Sequence, residues 1–159
     1  MTAPEFWRLI ERTWEKSGRN QDRKKAVVSN NETTLEELSG FIEEDFLSVY
    51  RSELAALDRA ALTSYLHLLE ELLYRIDRRE IHEHTDGSDD GFLYCRCFIL
   101  AMGEDYYNGI DQRPAKATFD LEAEGFGFAA YRVYEERFAE EFERNSIHSI
   151  ESGSNAEGW

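Results

Sequence analysis

Apolar residues recur along this chain with helical spacing, and runs that alternate apolar and polar, as a half-buried strand would, are scarce. Thr2-Ala3-Pro4-Glu5 has the form of a capping box with proline near the first helical position. Phe6, Trp7, Leu9, Ile10 and Trp14 then line one side of a helix that Gly18 ends. Thr34-Leu35-Glu36-Glu37 starts a second helix, in which Leu35, Leu38, Ile42, Phe46, Val49 and Leu54 form an apolar stripe reaching Leu57. Asp58 caps a third, with Leu62, Tyr65, Leu66, Leu69, Leu73 and Ile76 inward. A fourth runs from Ser88 to Gly103, with Tyr106, Tyr107 and Ile110 as a short helical extension. The last covers about 122 to 144, with Phe126, Ala130, Val133, Tyr134, Phe138 and Phe142 inward.

Between these segments the pattern fades. Residues 18–33 are polar, carry Arg19, Arg23, Lys24 and Lys25, and read as a flexible basic loop. Residues 77–87 read as a charged, irregular link, and 145–159 as a disordered polar tail. The expectation is one all-α domain over 1–144, a bundle of about five main helices. A chain of 159 residues with 42% apolar content is long enough for one core and short for two.

Charge sharpens the picture. Residues 1–33 sum to +2 and residues 34–159 to −17, giving −15 overall. Such a surface repels nucleic-acid phosphates and anionic membranes and attracts basic partners. No apolar run approaches a membrane span, and no secretory leader pattern opens the chain. Cys95 and Cys97 stand two apart on a helix, on different faces, so they do not bridge each other. A reducing, cytoplasmic setting follows as the expectation.

The candidate chemistry gathers around Ser88. Asp86-x-Ser88-x-Asp90-Gly91 matches the first six positions of a calcium loop, but Cys97 stands where the bidentate glutamate belongs. His82 and His84, with Asp86 and Asp90, form a possible transition-metal set. No nucleophile elbow, phosphate loop or dinucleotide fingerprint occurs, and no cofactor is implied. Asp89 and Asp90 sit in the first turn of a helix, and Arg96 lies seven residues after Asp89 on the same face. Sealed together, these three would tie helices; opened to a cleft, they would offer a small-ligand or metal-dependent hydrolytic site. Gly125 and Gly127, early in the last helix, each weaken it by about 1 kcal/mol and so point to close packing against a bulky neighbour.

The run Ser88-Asp89-Asp90-Gly91-Phe92-Leu93-Tyr94-Cys95-Arg96-Cys97-Phe98-Ile99-Leu100-Ala101-Met102-Gly103 resembles the hallmark segment of the bacterial domain-of-unknown-function family DUF4240. Phe6-Trp7-Arg8-Leu9-Ile10-Glu11 resembles the family's amino-terminal segment, and Tyr134-Glu135-Glu136 its carboxy-terminal helix. Cys95 and Phe98 replace an aromatic and a tryptophan usual in the family, and the charged run 80–87 replaces an apolar helix. The resemblance implies a helical fold in a bacterial, cytoplasmic context. It is compatible with a regulatory or interaction role and implies no reaction.

Together these observations favour a small acidic binding protein, of the immunity, antitoxin or adaptor kind, that docks a basic protein surface. Acidic faces at Glu36, Glu37, Glu43 and Glu44 and at Glu135, Glu136, Glu140, Glu141 and Glu143 would steer the encounter. Asp89, Asp90, Arg96 and the aromatic Trp7 are the candidate binding residues. Homo-oligomerisation is a further possibility for the same surface.

Overall fold

The computed structural model describes residues 1–145 and 147–159 and contains eight α-helices and no strand among them. They are α1 (Ala3–Ser17), α2 (Asn20–Ser29), α3 (32–55), α4 (Arg59–Arg75), α5 (Arg79–His82), α6 (Asp89–Ala101), α7 (Glu104–Gln112) and α8 (Glu124–Phe138). A 3₁₀ turn, Pro114–Lys116, follows α7. The five long helices expected from the pattern are α1, α3, α4, α6 and α8. The count of five is corrected to eight by α2, the one-turn α5, and α7, which extends the Tyr106–Ile110 segment into a helix of its own.

The 18–33 segment is not a loop. Gly18, at φ 102°, ends α1, and α2 begins two residues later. Its inward residues are Arg23 and Ala26, so it has no apolar stripe to read. Burial of Arg23 works because its guanidinium donates to Glu11 at 2.6 Å, to Asn20 Oδ1 and to the Met102 carbonyl. It also lies 5.6 Å from the centre of the Trp14 ring. Gly103 at the end of the hallmark run has φ 96°, and a Cβ there would come within 2.6 Å of Arg23 Nη1. That glycine serves both the reversed backbone and the buried cation.

Helix α3 contains a π turn at Ile42–Phe46. After Leu35, its buried residues Leu38, Ile42, Phe46, Tyr50 and Leu54 are each four apart. In a regular α-helix such steps drift by about 40° each, and four of them would carry the stripe off the core. The wider turn takes out that drift. Tyr50, not Val49, therefore faces inward, with its hydroxyl bonded to that of Tyr65 on α4.

The core is aromatic: Phe6 stacks on Tyr65 with centroids 4.6 Å apart, Tyr50 on Phe126 at 4.7 Å, and Trp14 tilts against Phe46 at 4.7 Å. Helix α8 packs against α3, α4 and α6. Its two glycines explain the close approach. A Cβ on Gly127 would sit 2.5 Å from the buried Cys97 Sγ, and the Gly125 N–H donates to both carboxylate oxygens of Glu43 at 2.9 and 3.1 Å. Gly127→Ala is expected to destabilise by about 1–2 kcal/mol, overpacking outweighing the gain in helix propensity. Adding Cys97→Ala should restore most of the loss in thermal denaturation. A loss undiminished in the double variant would show that Cys97 is not the obstacle.

The last helix stops at Phe138, because Ala139 turns left-handed at φ 50°. The segment beyond it, read as a disordered tail, instead lies on the domain: Ile150 and Asn155 are buried, and Trp159, partly exposed, packs edge-on against the core residue Phe92. It has no regular structure to advertise it, and it is held by side-chain and backbone hydrogen bonds described below. Ser146, within that segment, lies outside the described residues. No helix is long and apolar enough to cross a membrane among the described residues.

Candidate functional site

The start of α6 is built locally. Ser88 caps the helix by accepting from the Gly91 N–H, and Asp86 Oδ1 accepts from both the N–H and the hydroxyl of Ser88. These two bonds hold the Asp86 carboxyl below its usual range. A side chain on Gly91 would collide with the Asp86 carboxylate, which accounts for glycine there. Asp89 and Asp90 occupy the first turn and point to solvent.

Arg96 is fully buried, and neither Asp89 nor Asp90 pairs with it. The structure therefore gives neither arrangement expected for the three residues. The guanidinium instead donates to the Leu73 carbonyl at 2.9 Å, the Ile150 carbonyl at 2.8 Å and the Ser152 hydroxyl at 3.2 Å, and it lies over Phe92. Its Nε has no partner among the described residues. Burial pushes its pKa down, opposed first by the charge of Asp77. Asp77, also fully buried, accepts from the Gly153 and Asn155 N–H groups at 3.0 Å each, from the Ser154 hydroxyl, and from the Trp159 indole at 3.0 Å. The Ser152 hydroxyl also donates to the Asp89 carbonyl at 2.6 Å. Arg96 and Asp77 thus bind one segment, 150–159, from below.

The candidate metal set does not assemble. His82 packs edge-on against Phe92 and tilts against Trp159, which makes it an aromatic partner. His84 is exposed and Asp90 faces away into solvent. Asp86 instead meets Asp120 and Glu122, with one carboxylate oxygen from each lying within 4.8 Å of the others. One Asp86 oxygen is already committed to Ser88, which weakens the trio as a cation cage. Asp120 sits at φ 61°, a left-handed position that its short polar side chain tolerates. Burial first, then the negative charges of Asp120 and Asp86, raise the Glu122 pKa. Tyr94 shares this face: desolvation, then Glu124, Asp90 and Glu122, push its hydroxyl up. Phe119, beside Asp120, is 63% exposed. Among the described residues, no lysine or arginine pairs with Asp86, Asp120, Glu122 or Glu124.

The remaining candidates are placed elsewhere. Trp7 is core, edge-on to Phe6 and against Tyr107, and offers no binding surface. Glu37, Glu136 and Glu140 are paired with Arg19, Arg51 and Arg59, while Glu43 serves Gly125. Both thiols are free and buried, and loss of water pushes Cys95 up to about 11 and Cys97 to about 12, so neither is an activated nucleophile. A groove of about 460 Å³ between α2 and α7 has the Arg23–Glu11 pair in its wall, far from a reactive arrangement. Asp77, Asp120, Glu122 and Trp159 carried no motif; only folding brings them to these positions.

Neither the curated proteins nor the solved structures contain a match to this chain. A family model does match, over residues 1–136, which includes α1 through most of α8 and both the capped start of α6 and Arg96. The chain therefore belongs to the DUF4240 family, whose description is protein of unknown function.

Proposed function

We propose that this chain is an acidic docking protein whose face at Asp86, Asp120, Glu122 and Glu124 receives a basic segment of a protein partner. The observation that carries this reading is the unpaired convergence of Asp86, Asp120 and Glu122, with the charge of Glu124 acting on the same Glu122, beside an exposed phenylalanine. Like charges held together cost free energy that an incoming lysine or arginine relieves, and Phe119 and Tyr94 supply apolar area for affinity. The steering faces on α3 and at the end of and beyond α8 matter less, because Glu37, Glu136 and Glu140 already have internal partners. A bacterial inhibitor, antitoxin or adaptor would use such a face. The reading needs no reaction, cofactor or nucleic acid.

The sign of the pH dependence follows. Burial and the neighbouring negative charges raise the Glu122 pKa in the free protein, so its ionised form costs more there than in a free carboxylate and an arriving cation relieves that cost. Affinity for a basic ligand should therefore begin to fall, on acidification, at a higher pH than for an ordinary exposed carboxylate.

The test is a fluorescein-labelled peptide of alternating lysine, arginine and leucine, titrated by anisotropy at low and high salt. Asp120→Lys with Glu122→Lys should weaken binding about tenfold or more, and Phe119→Ala about threefold, with much weaker binding at high ionic strength. The same charge change at Glu141 and Glu143 should cost less than about twofold. Equal losses from both reversals would reduce the effect to net charge and remove the face; indifference to salt would remove the electrostatic reading altogether.

A further inference from the structure

Residues 150–159 lie outside the 1–136 span of the family domain, yet they fill a cleft made by it. The segment forms two turns, closed by Ser154 N–H to the Glu151 carbonyl and Gly158 N–H to the Asn155 carbonyl, and the walls bond both its backbone and its side chains. Arg96 donates to the Ile150 carbonyl, and Asp77 accepts the N–H groups of Gly153 and Asn155. The Arg79 N–H donates to the Gly158 carbonyl at 2.9 Å, and the Asn155 side-chain amide donates to the Tyr74 carbonyl at 3.1 Å. Trp159 lodges its ring against His82 and Phe92 while its indole N–H reaches Asp77. A Cβ on Gly158 would lie 2.7 Å from the Asp77 carbonyl, so the cleft admits only a glycine before the tryptophan.

The charged groups of the walls are turned toward this occupant rather than toward each other. Asp77 and Arg96 are both fully buried without forming a salt bridge with each other, and Arg96 Nε stays unpartnered among the described residues. A buried guanidinium that takes two of its three partners from this segment, and a buried carboxylate that takes all four donors from it, form a ligand site more than a core. The connection that leads to the occupant contains two left-handed non-glycine residues, Ala139 and Asn145, and no helix between them.

We infer that Asp77, Arg96, His82 and Phe92 form a peptide-binding cleft, occupied in cis by residues 150–159, that takes in trans a partner segment folded into consecutive polar turns closed by Gly-Trp. The cis occupant then sets a threshold: a partner must outcompete it. Residues 147–159 carry two glutamates and no lysine or arginine, so this cleft does not select a basic ligand. Its partner and the acidic face's partner are chemically different, and the inference stands apart from the docking proposal.

The probe is a labelled synthetic peptide of residues 147–159, added to the full chain. The unmodified chain should bind it weakly, because its own segment is in place. The full-length variant Trp159→Ala with Asn155→Ala should bind it about tenfold or more tightly by comparison, and adding Asp77→Asn should return affinity about tenfold toward the weak value. Binding should change little between low and high salt. A variant that keeps its helical circular dichroism but does not gain affinity overturns the cleft, as does a gain that Asp77→Asn leaves untouched. Hydrogen exchange on the unmodified chain decides the case even if the variant unfolds. The Gly153 and Asn155 amides should exchange about tenfold or more faster than those of α6 if the segment detaches, and protection equal to α6 would make it an integral part of the fold.

Discussion

Arg96→Ala is expected to lower stability by about 3 kcal/mol, and the thermal midpoint by about 6–12 °C. The side chain is fully buried, and its removal strands the Leu73 and Ile150 carbonyls and opens a space beside Phe92. Each buried acceptor left without a donor costs about 1–3 kcal/mol, and the cavity adds to that. Arg96→Met should lose about half as much, because it fills the space that alanine leaves empty while still stranding the carbonyls. Circular-dichroism melts of the three proteins give the comparison. A loss below about 1 kcal/mol in the alanine variant would mean that the 150–159 segment lets water reach these carbonyls with little resistance.

This residue also shows how far the sequence reaches. Its burial could be argued from its apolar neighbours Phe92, Ile99 and Leu100, and the capped start of α6 from Ser88 and Gly91. What it bonds could not. The expected partners Asp89 and Asp90 are near in sequence, whereas the actual ones come from the end of α4 and from a segment with no regular structure. The same limit hid α2, whose inward face is Arg23 and Ala26: periodicity detects helices that bury apolar stripes and is blind to one that buries an arginine. It hid the acidic face too, since Asp86 and the Asp120–Glu122 pair are separated by all of α6 and α7. Helix α3 is the instructive intermediate case. Its extent was legible, but its stripe was read through Val49, because a regular helix cannot keep five residues spaced by four on one side. The π turn that allows it left no sign in composition.

The second large effect is expected at Trp14, where α1, α2, α3 and α6 meet. Its ring is fully buried, stacked on Phe41, tilted against Phe46 and covered by the Arg23 guanidinium, and its indole N–H donates to the Ala101 carbonyl at 2.7 Å. That carbonyl belongs to the last turn of α6, whose terminal acceptors need donors from outside the helix. Trp14→Ala should therefore cost about 4 kcal/mol, with a midpoint lower by about 8–16 °C. Trp14→Phe separates the two contributions: it keeps most of the apolar contact, loses the indole donor, and should cost about 1–2 kcal/mol. Because Arg23 holds Met102 beside the same helix end, Trp14→Phe should also weaken protection of the amides around Gly103 in hydrogen exchange, ahead of global unfolding. If Trp14→Phe proved as damaging as Trp14→Ala, the helix-end bond rather than the aromatic packing would dominate this junction. If it proved neutral, the Ala101 carbonyl would have to be reaching water, and the seam between α1 and α6 would be open where the structure has it closed.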